Sequence, residues 1–194
     1  GSTSTIGHTG ATITAPYTKV DLGTGRTAVQ ISAGAFHNCA LLDNSDIKCW
    51  GNNTYGQLGY EDTSNRGTSP AQLGDSLLPI NLGTGLTPIS VAAGGYHTCA
   101  VFNSGAIKCW GYNGYGQLGL GDASNRGDLA GTMGGNLPTS NIGGVKVQSL
   151  ALGLYHTCAI VAVVGQINNA IKCWGRNNSG QLGLGDTTNR GTSV

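Results

Sequence analysis

The stretch GGYHTCAVFNSGAIKCWG, residues 94–111, decides the fold. Two short runs, HTCAVF and IKCW, are rich in β-branched, aromatic and cysteine residues, and Asn103-Ser104-Gly105 separates them. A three-residue loop whose glycine takes the left-handed position closes a hairpin through a G1 bulge, which sets Phe102 opposite Ala106. Counting back from there pairs Val101 with Ile107, Ala100 with Lys108 and Cys99 with Cys109. Alternation makes the cysteines a non-hydrogen-bonded pair with Cα atoms about 4.5 Å apart. A disulfide accepts that separation at the short end of its range, so the hairpin is expected to carry its own staple.

Working outward, the same signature recurs as GAFHNCALL at 34–42 and GLYHTCAIV at 153–161. A second block follows each copy: IKCWGNNTYGQLGYEDTSNRGTS from Ile47, IKCWGYNGYGQLGLGDASNRGDL from Ile107 and IKCWGRNNSGQLGLGDTTNRGTS from Ile171. A weaker block precedes each: VDLGTGRTAVQISAG from Val20, INLGTGLTPISVAAG from Ile80 and SNIGGVKVQSLALG from Ser140. The segments are short, bounded by Gly or Asn, and lack sustained helical periodicity. An all-β repeat with a period of about 60 residues, too small to bury its own faces, points to a propeller before a solenoid. The expected architecture is three tandem propeller-type blades, forming a partial β-propeller or one completed between chains. The expected boundaries are a loose Thr- and Gly-rich arm over 1–16, then repeats over 17–79, 80–139 and 140–194, in one continuous domain.

Six cysteines fall two per repeat, as Cys39/Cys49, Cys99/Cys109 and Cys158/Cys173. The third pair is spaced more widely because VAVVGQINN lengthens its hairpin, so its bridge requires a longer or bulged loop. Staples closing such short loops contribute up to about 3 kcal/mol each. Persistent disulfides imply a secreted or cell-surface location. Two alternatives stand beside this reading. One is six buried free thiols in a cytosolic protein. The other is zinc held by His37, Cys39 and Cys49 and again by His97, Cys99 and Cys109, although no fourth ligand repeats nearby. With the cysteines paired, His37, His97 and His156 are expected to hydrogen-bond a neighbouring loop, and neither metal nor cofactor is expected.

Charge narrows the function further. Asp, Glu, Lys and Arg make up 10% of the chain and the net charge is +1. Scattered cations with so small a sum give no basic field for phosphates, which argues against nucleic-acid partners. No apolar run approaches the ~18 residues that a membrane-spanning helix needs, so no membrane partner is expected.

HTCA, IKCWG, GQLG and NRG together resemble repeats of the regulator of chromosome condensation family, over about nine tenths of the chain, with GQLG at 56–59, 116–119 and 180–183. The resemblance implies four-stranded blades, about seven of which close a ring, within the four to eight usual for propellers. The cysteine pairs resemble the bacterial branch, whose members serve as binding scaffolds and include a secreted inhibitor of β-lactamases. The nuclear branch suggests an exchange factor for a small GTPase or chromatin, and disulfides argue against that compartment. Three repeats depart from the pattern. Their open edges are expected to be covered by other copies of the chain, by another chain, or by further repeats. The match of Tyr17–Leu22 to Leu77–Leu82 suits completion of one copy's end by another's start, as a ring or a filament.

Trp50, Trp110 and Trp174 follow the second cysteine of each pair and so point to the opposite sheet face, where packing between blades is expected. Asp62/Arg66, Asp122/Arg126 and Asp186/Arg190 recur in the NRG loops and are read as loop-bracing ion pairs; Ca²⁺ needs six to eight oxygens. Asn52-Asn53-Thr54 and Asn177-Asn178-Ser179 match the glycosylation sequon, which turn chemistry also explains. Nearly every polar candidate is a repeat consensus position, so no catalytic residue is assigned and no enzyme is expected. Departures from consensus carry the function instead. Tyr55 and Tyr115 lie in loops, Tyr112 and Arg176 replace Asn52, and Phe36, Tyr96 and Tyr155 precede the histidines. Aromatics on loops suit recognition of a protein or glycan ligand. The expected function is an extracellular non-catalytic module for protein–protein interaction or self-assembly. A propeller lectin or secreted inhibitor is the alternative.

Overall fold

A computed structural model describes residues 19–162, 165 and 168–192. The arm expected over 1–16, the start of the Tyr17–Leu22 match and part of the third hairpin's loop lie outside the described residues. Among the described residues nine strands form three antiparallel sheets in strand order: β1 (Ala28–Ala33), β2 (His37–Leu42) and β3 (Ile47–Gly51); β4 (Pro88–Ala93), β5 (His97–Phe102) and β6 (Ile107–Gly111); β7 (Lys146–Leu152), β8 (His156–Ala162) and β9 (Ala170–Gly175). The β5–β6 register is the one counted from Asn103-Ser104-Gly105, with Val101 opposite Ile107 and Cys99 opposite Cys109. Gly105 takes φ +82° in that loop, and Ser45 holds the same place at φ +68°. A non-glycine residue there costs about 1 kcal/mol.

All six cysteines are bridged, Cys39–Cys49, Cys99–Cys109 and Cys158–Cys173, each across directly paired strand positions with Cα atoms 4.1 Å apart. The third hairpin absorbs its extra residues beyond the Val161–Ala170 pair, leaving the cysteine register intact. Neither free thiols nor thiolate zinc ligands remain. Among the described residues no cluster of His, Cys, Asp or Glu is arranged to hold a metal, and no helix is long and apolar enough to cross a membrane. The Cys99→Ala/Cys109→Ala variant is expected to lose about 2–3 kcal/mol of unfolding free energy in urea titration. Intact mass on reduction should rise by two hydrogens for each of the three bridges.

Among the described residues each sheet has three strands where the family resemblance implies four. In the fourth position, Ile80 N donates to Ile47 O at 2.9 Å and Ser140 N donates to Ile107 O at 3.0 Å. Pro79 and Pro138 sit in these segments. Proline lacks an N–H, so a full ladder cannot form against β3 or β6. Lysine does the stitching instead. Lys108 Nζ, buried, donates to Leu82 O at 2.8 Å and Gly134 O at 3.0 Å, and Lys48 likewise holds Leu22 O and Gly74 O. Burial lowers the Lys108 pKa.

The core lies between sheets. One apolar cluster joins Cys39, Ile47 and Cys49 of the first blade to Val91, Phe102 and Trp110 of the second, with Met133 and Leu137. A second joins Cys99, Ile107 and Cys109 to Val147, Ala159 and Trp174 of the third. The first two disulfides therefore face the following blade, and the buried tryptophans Trp110 and Trp174 the preceding one, as strand alternation requires.

Candidate functional site

The loop after each third strand is the frame on which the variable side chains stand. Arg66 exchanges two backbone hydrogen bonds with Gly51, and the same bridge joins Gly111 to Arg126 and Gly175 to Arg190. The consensus ion pairs brace that frame, with Arg66–Asp62, Arg126–Asp122 and Arg190–Asp186 at 2.6–2.7 Å. The Arg66 guanidinium holds the Asp62 carboxyl below its ordinary pKa. Inside the loop, buried Asn113 accepts from Leu118 N and donates to Asp122 O. Asn177, the acceptor position of the second sequon, is fully buried in the same role.

Between blades, four consensus groups form a relay. Thr98 Oγ1 donates to Gln57 O at 2.8 Å, so it must accept from His37 Nε2–H at 2.7 Å, and Trp110 Nε1 donates to the same carbonyl at 3.0 Å. The next seam repeats it with His97, Thr157, Gln117 O and Trp174. The histidines thus contact a strand threonine of the neighbouring blade rather than its loop. The loop carbonyl in each relay, Gln57 or Gln117, belongs to the histidine's own blade and receives the neighbouring blade's hydroxyl and indole. His156 has no following threonine among the described residues, and Trp50 is half-exposed.

Glycine permits this approach. A Cβ on Gly56, whose φ is +76°, would lie 2.6 Å from Asp128 Cα across the seam, while one on Gly180, at φ +72°, would meet nothing within 4 Å. Gly56→Ala is therefore expected to cost about 2–4 kcal/mol through backbone strain plus overpacking, and Gly180→Ala only about 1 kcal/mol through strain. Thermal unfolding of the two variants side by side reads the difference.

The residues that depart from consensus converge. Asn52 N, Tyr112 N and Arg176 N donate to the carbonyls of Phe36, Tyr96 and Tyr155, respectively, which sets each loop beside the residue preceding the histidine. Tyr96 lies at the centre, 5.2 Å from Phe36, 5.4 Å from Tyr55 and stacked 5.6 Å from Tyr155. Tyr112 packs 4.8 Å from Tyr55, 6.0 Å from Tyr115 and 5.8 Å from Tyr155. The Arg176 guanidinium lies 5.2 Å from the Tyr115 ring and 5.5 Å from that of Tyr155, within cation–π range. Its Nε donates to Asn178 Oδ1. Among the described residues it is the arginine that makes no carboxylate salt bridge. Desolvation and neighbouring tyrosines push the Tyr112 and Tyr155 hydroxyls up, so both stay neutral near pH 7. Phe36 is exposed and the tyrosines half-buried. The result is one contiguous ring surface drawn from three blades. Sequence reading singled out its members, but not that they touch.

Three stapled antiparallel sheets joined through like seams define a tandem-blade propeller protein. Residues 49–101 and 104–160 match the regulator of chromosome condensation (RCC1) repeat, and 28–57 and 89–117 match a second description of that repeat. The chain belongs to the RCC1 repeat family. It is similar to the ultraviolet-B receptor UVR8 of Arabidopsis thaliana, at 37% identity over 84% of this chain and 32% of the receptor. The probable E3 ubiquitin-protein ligase HERC4 of Homo sapiens is 34% identical over 84% of this chain and 18% of the ligase. The chain thus spans about a third or less of these relatives. Among solved structures, human WBSCR16 superposes with TM-score 0.66 at 22% identity, covering 87% of this chain and 38% of that one. Prp20p of Saccharomyces cerevisiae gives 0.61 at 21%, covering 86% and 37%. These two establish the fold. RCC1-repeat propellers act as protein-interaction or exchange-factor domains, and the matched residues here are repeats.

Proposed function

We propose that the chain is an extracellular, non-catalytic propeller module that binds another protein through the face built by Phe36, Tyr55, Tyr96, Tyr112, Tyr115, Tyr155 and Arg176, and that it also self-assembles. The observation that carries the reading is the convergence of six rings and one guanidinium that has no carboxylate partner among the described residues, all at positions that vary between repeats. Invariant polar groups of the braced loops and of the two internal seams are occupied with one another. Tyrosine and arginine are the residue types that dominate binding energy where they cluster. Published descriptions of Prp20p concern its binding to Gsp1p and histones and its complex with Kap60; a propeller serving as a protein-binding body is what carries over. Three disulfides support an oxidising compartment. Open blade faces would be covered by other copies or by further repeats.

The test is affinity capture from the medium around the producing cells, with wild type and a Tyr55→Ala/Tyr115→Ala variant in parallel. A protein retained by the first and lost by the second is expected. Equal retention by both would overturn the assignment of this face. Five hydroxylated rings also favour a second reading, a glycan ligand, and binding on a glycan array that vanishes in the same variant would replace the protein reading with that one.

A further inference from the structure

The loop after each third strand carries a glutamine whose Oε1 accepts from the backbone N–H two residues earlier: Gln57 from Tyr55, Gln117 from Tyr115 and Gln181 from Ser179. That contact fixes which way the amide points and leaves Nε2 as the free end. In the first repeat Nε2 of Gln57 donates to Asn52 Oδ1 at 2.7 Å. In the second repeat Tyr112 stands where Asn52 does, and its ring turns over Gly114, where a Cβ would collide with the phenol. Gln117 is fully buried, and its Nε2 has no hydrogen-bond partner. Buried polar atoms are nearly always partnered, so this donor points to an acceptor from outside. It lies between the second and third blades, away from both ends of the repeat array. Gly175 approaches so closely that its Cβ would stand 3.1 Å from Gln117 Cβ, and Arg176, the next residue, donates its backbone N–H to Tyr155 O. The orphaned donor and the Arg176 guanidinium thus border the same two rings, Tyr115 and Tyr155.

We propose that the aromatic face receives a carboxylate, an Asp or Glu side chain of the protein partner, with Gln117 Nε2–H donating to one carboxylate oxygen and the Arg176 guanidinium facing the other. This rests on reading that face as the binding surface and names the group it recognises. The orphaned donor requires an acceptor, and the cation beside it favours a charged acceptor over a neutral carbonyl. Arg176 is set in place before the ligand arrives, its Nε donating to Asn178 Oδ1 and its plane lying over the two rings. None of the residues that build the face is acidic, so nothing in it repels a carboxylate. Tyr112 is the gate: turning its half-buried ring away from the loop opens the way to Gln117 through a side-chain rotation, with the backbone unmoved. The surrounding rings would then take apolar residues on either side of the partner's acid.

Titration of the purified chain with a blocked Leu-Glu-Leu peptide, followed through the NMR signal of the Gln117 side-chain amide, tests this beside a Leu-Gln-Leu peptide and galacturonate. The acidic peptide is expected to move that signal and to bind about tenfold more tightly than its neutral counterpart. Arg176→Gln should remove the preference. Two substitutions at the gate separate the ring from the donor. Tyr112→Ala leaves Gln117 orphaned and is expected to keep the acidic peptide. Tyr112→Asn supplies the acceptor that Asn52 supplies in the first repeat, so it should bind about tenfold more weakly than Tyr112→Ala while unfolding at a higher temperature. A Gln117 signal that the acidic peptide does not move overturns the proposal, as does equal affinity for the two peptides or equal binding by the two Tyr112 variants; a buried water is then the partner of Gln117. A response to galacturonate without one to the acidic peptide overturns the protein side chain as ligand and assigns the site to an acidic glycan. Affinity capture keeps the two readings apart: a partner held equally by wild type and Tyr112→Asn but lost by Tyr55→Ala/Tyr115→Ala leaves the face standing and refutes the carboxylate site.

Discussion

Trp110→Ala is expected to lower the free energy of unfolding by about 4–5 kcal/mol, more than any other single side-chain truncation in the chain. Trp110 is fully buried and is the largest such side chain. Its ring fills the space between Gly59 and the second sheet, and its N–H holds the Gln57 carbonyl that also receives Thr98. Removing it opens a cavity and leaves one donor fewer on a buried acceptor. Trp110→Phe keeps most of the packing and loses the N–H, with an expected cost of about 1–2 kcal/mol. Trp50→Ala makes the same chemical change on a half-exposed ring and is expected to cost well under half as much as Trp110→Ala. Urea titrations of the three variants provide the comparison. Equal losses for Trp50→Ala and Trp110→Ala would mean that the indole contributes within its own blade and not across the seam.

That contrast follows from where the apolar surface is buried. A three-stranded sheet has two faces and, among the described residues, no α-helix covers either, so a blade alone cannot form a core. Both apolar clusters are shared between adjacent blades, which makes stability a sum of seams more than of blades, as in other repeat arrays. The disulfide fits this logic. It ties β2 to β3, or β5 to β6, at the seam-facing position, stiffening the surface that the next blade packs on.

Local chemistry was legible in the sequence and contacts between repeats were not. The hairpin loop Asn103-Ser104-Gly105 determines the register of β5 and β6 by itself, so the Cys99–Cys109 bridge could be counted out residue by residue. Strand alternation likewise separates Trp110 from Cys109. The relay escaped notice because its central acceptor is a main-chain carbonyl, that of Gln57, which no side-chain pattern announces. Thr98 and Thr157 were visible only as part of HTCA, and the signal that could have flagged them was the Asn38 exception in the first repeat. Lys48 and Lys108 sit in the IKCW blocks without any signal of a special role, yet each is buried, holding two carbonyls from flanking segments. The aromatic positions were identifiable as departures from consensus. Their convergence depends on how three blades fan out, which spacing along one chain does not encode. The fourth strand was implied by family resemblance alone, and Pro79 and Pro138 argue against a full ladder there.

Acid is expected to unfold the protein in a window that the seam histidines define. Burial lowers the His37 pKa to about 4 and the His97 pKa to about 3, from 6.5. Each imidazole gives its Nε2–H to a threonine, and each Nδ1 is buried without a partner. Gly34 and Gly94 lie against the two rings. A proton added at Nδ1 would therefore bring a charge and an unpaired N–H into the seam. The unfolded chain binds those protons near pH 6.5 and the folded chain does not. Stability is thus full above pH 6.5 and falls as pH drops toward 4 and then 3. The slope approaches about 1.4 kcal/mol per pH unit for each histidine, for a total on the order of 3 kcal/mol apiece. Carboxylates act later: Asp62, Asp122 and Asp186 have pKa values held below 3.8, so their contribution disappears only beneath that value. Urea titrations between pH 7 and 4.5 therefore isolate the histidines. His97→Gln is expected to lower stability at pH 7 and to reduce the slope across that range by its own share, His37 and His156, whose pKa values burial also lowers, supplying the rest. A slope unchanged in this variant would show that the acid sensitivity comes from elsewhere in the chain.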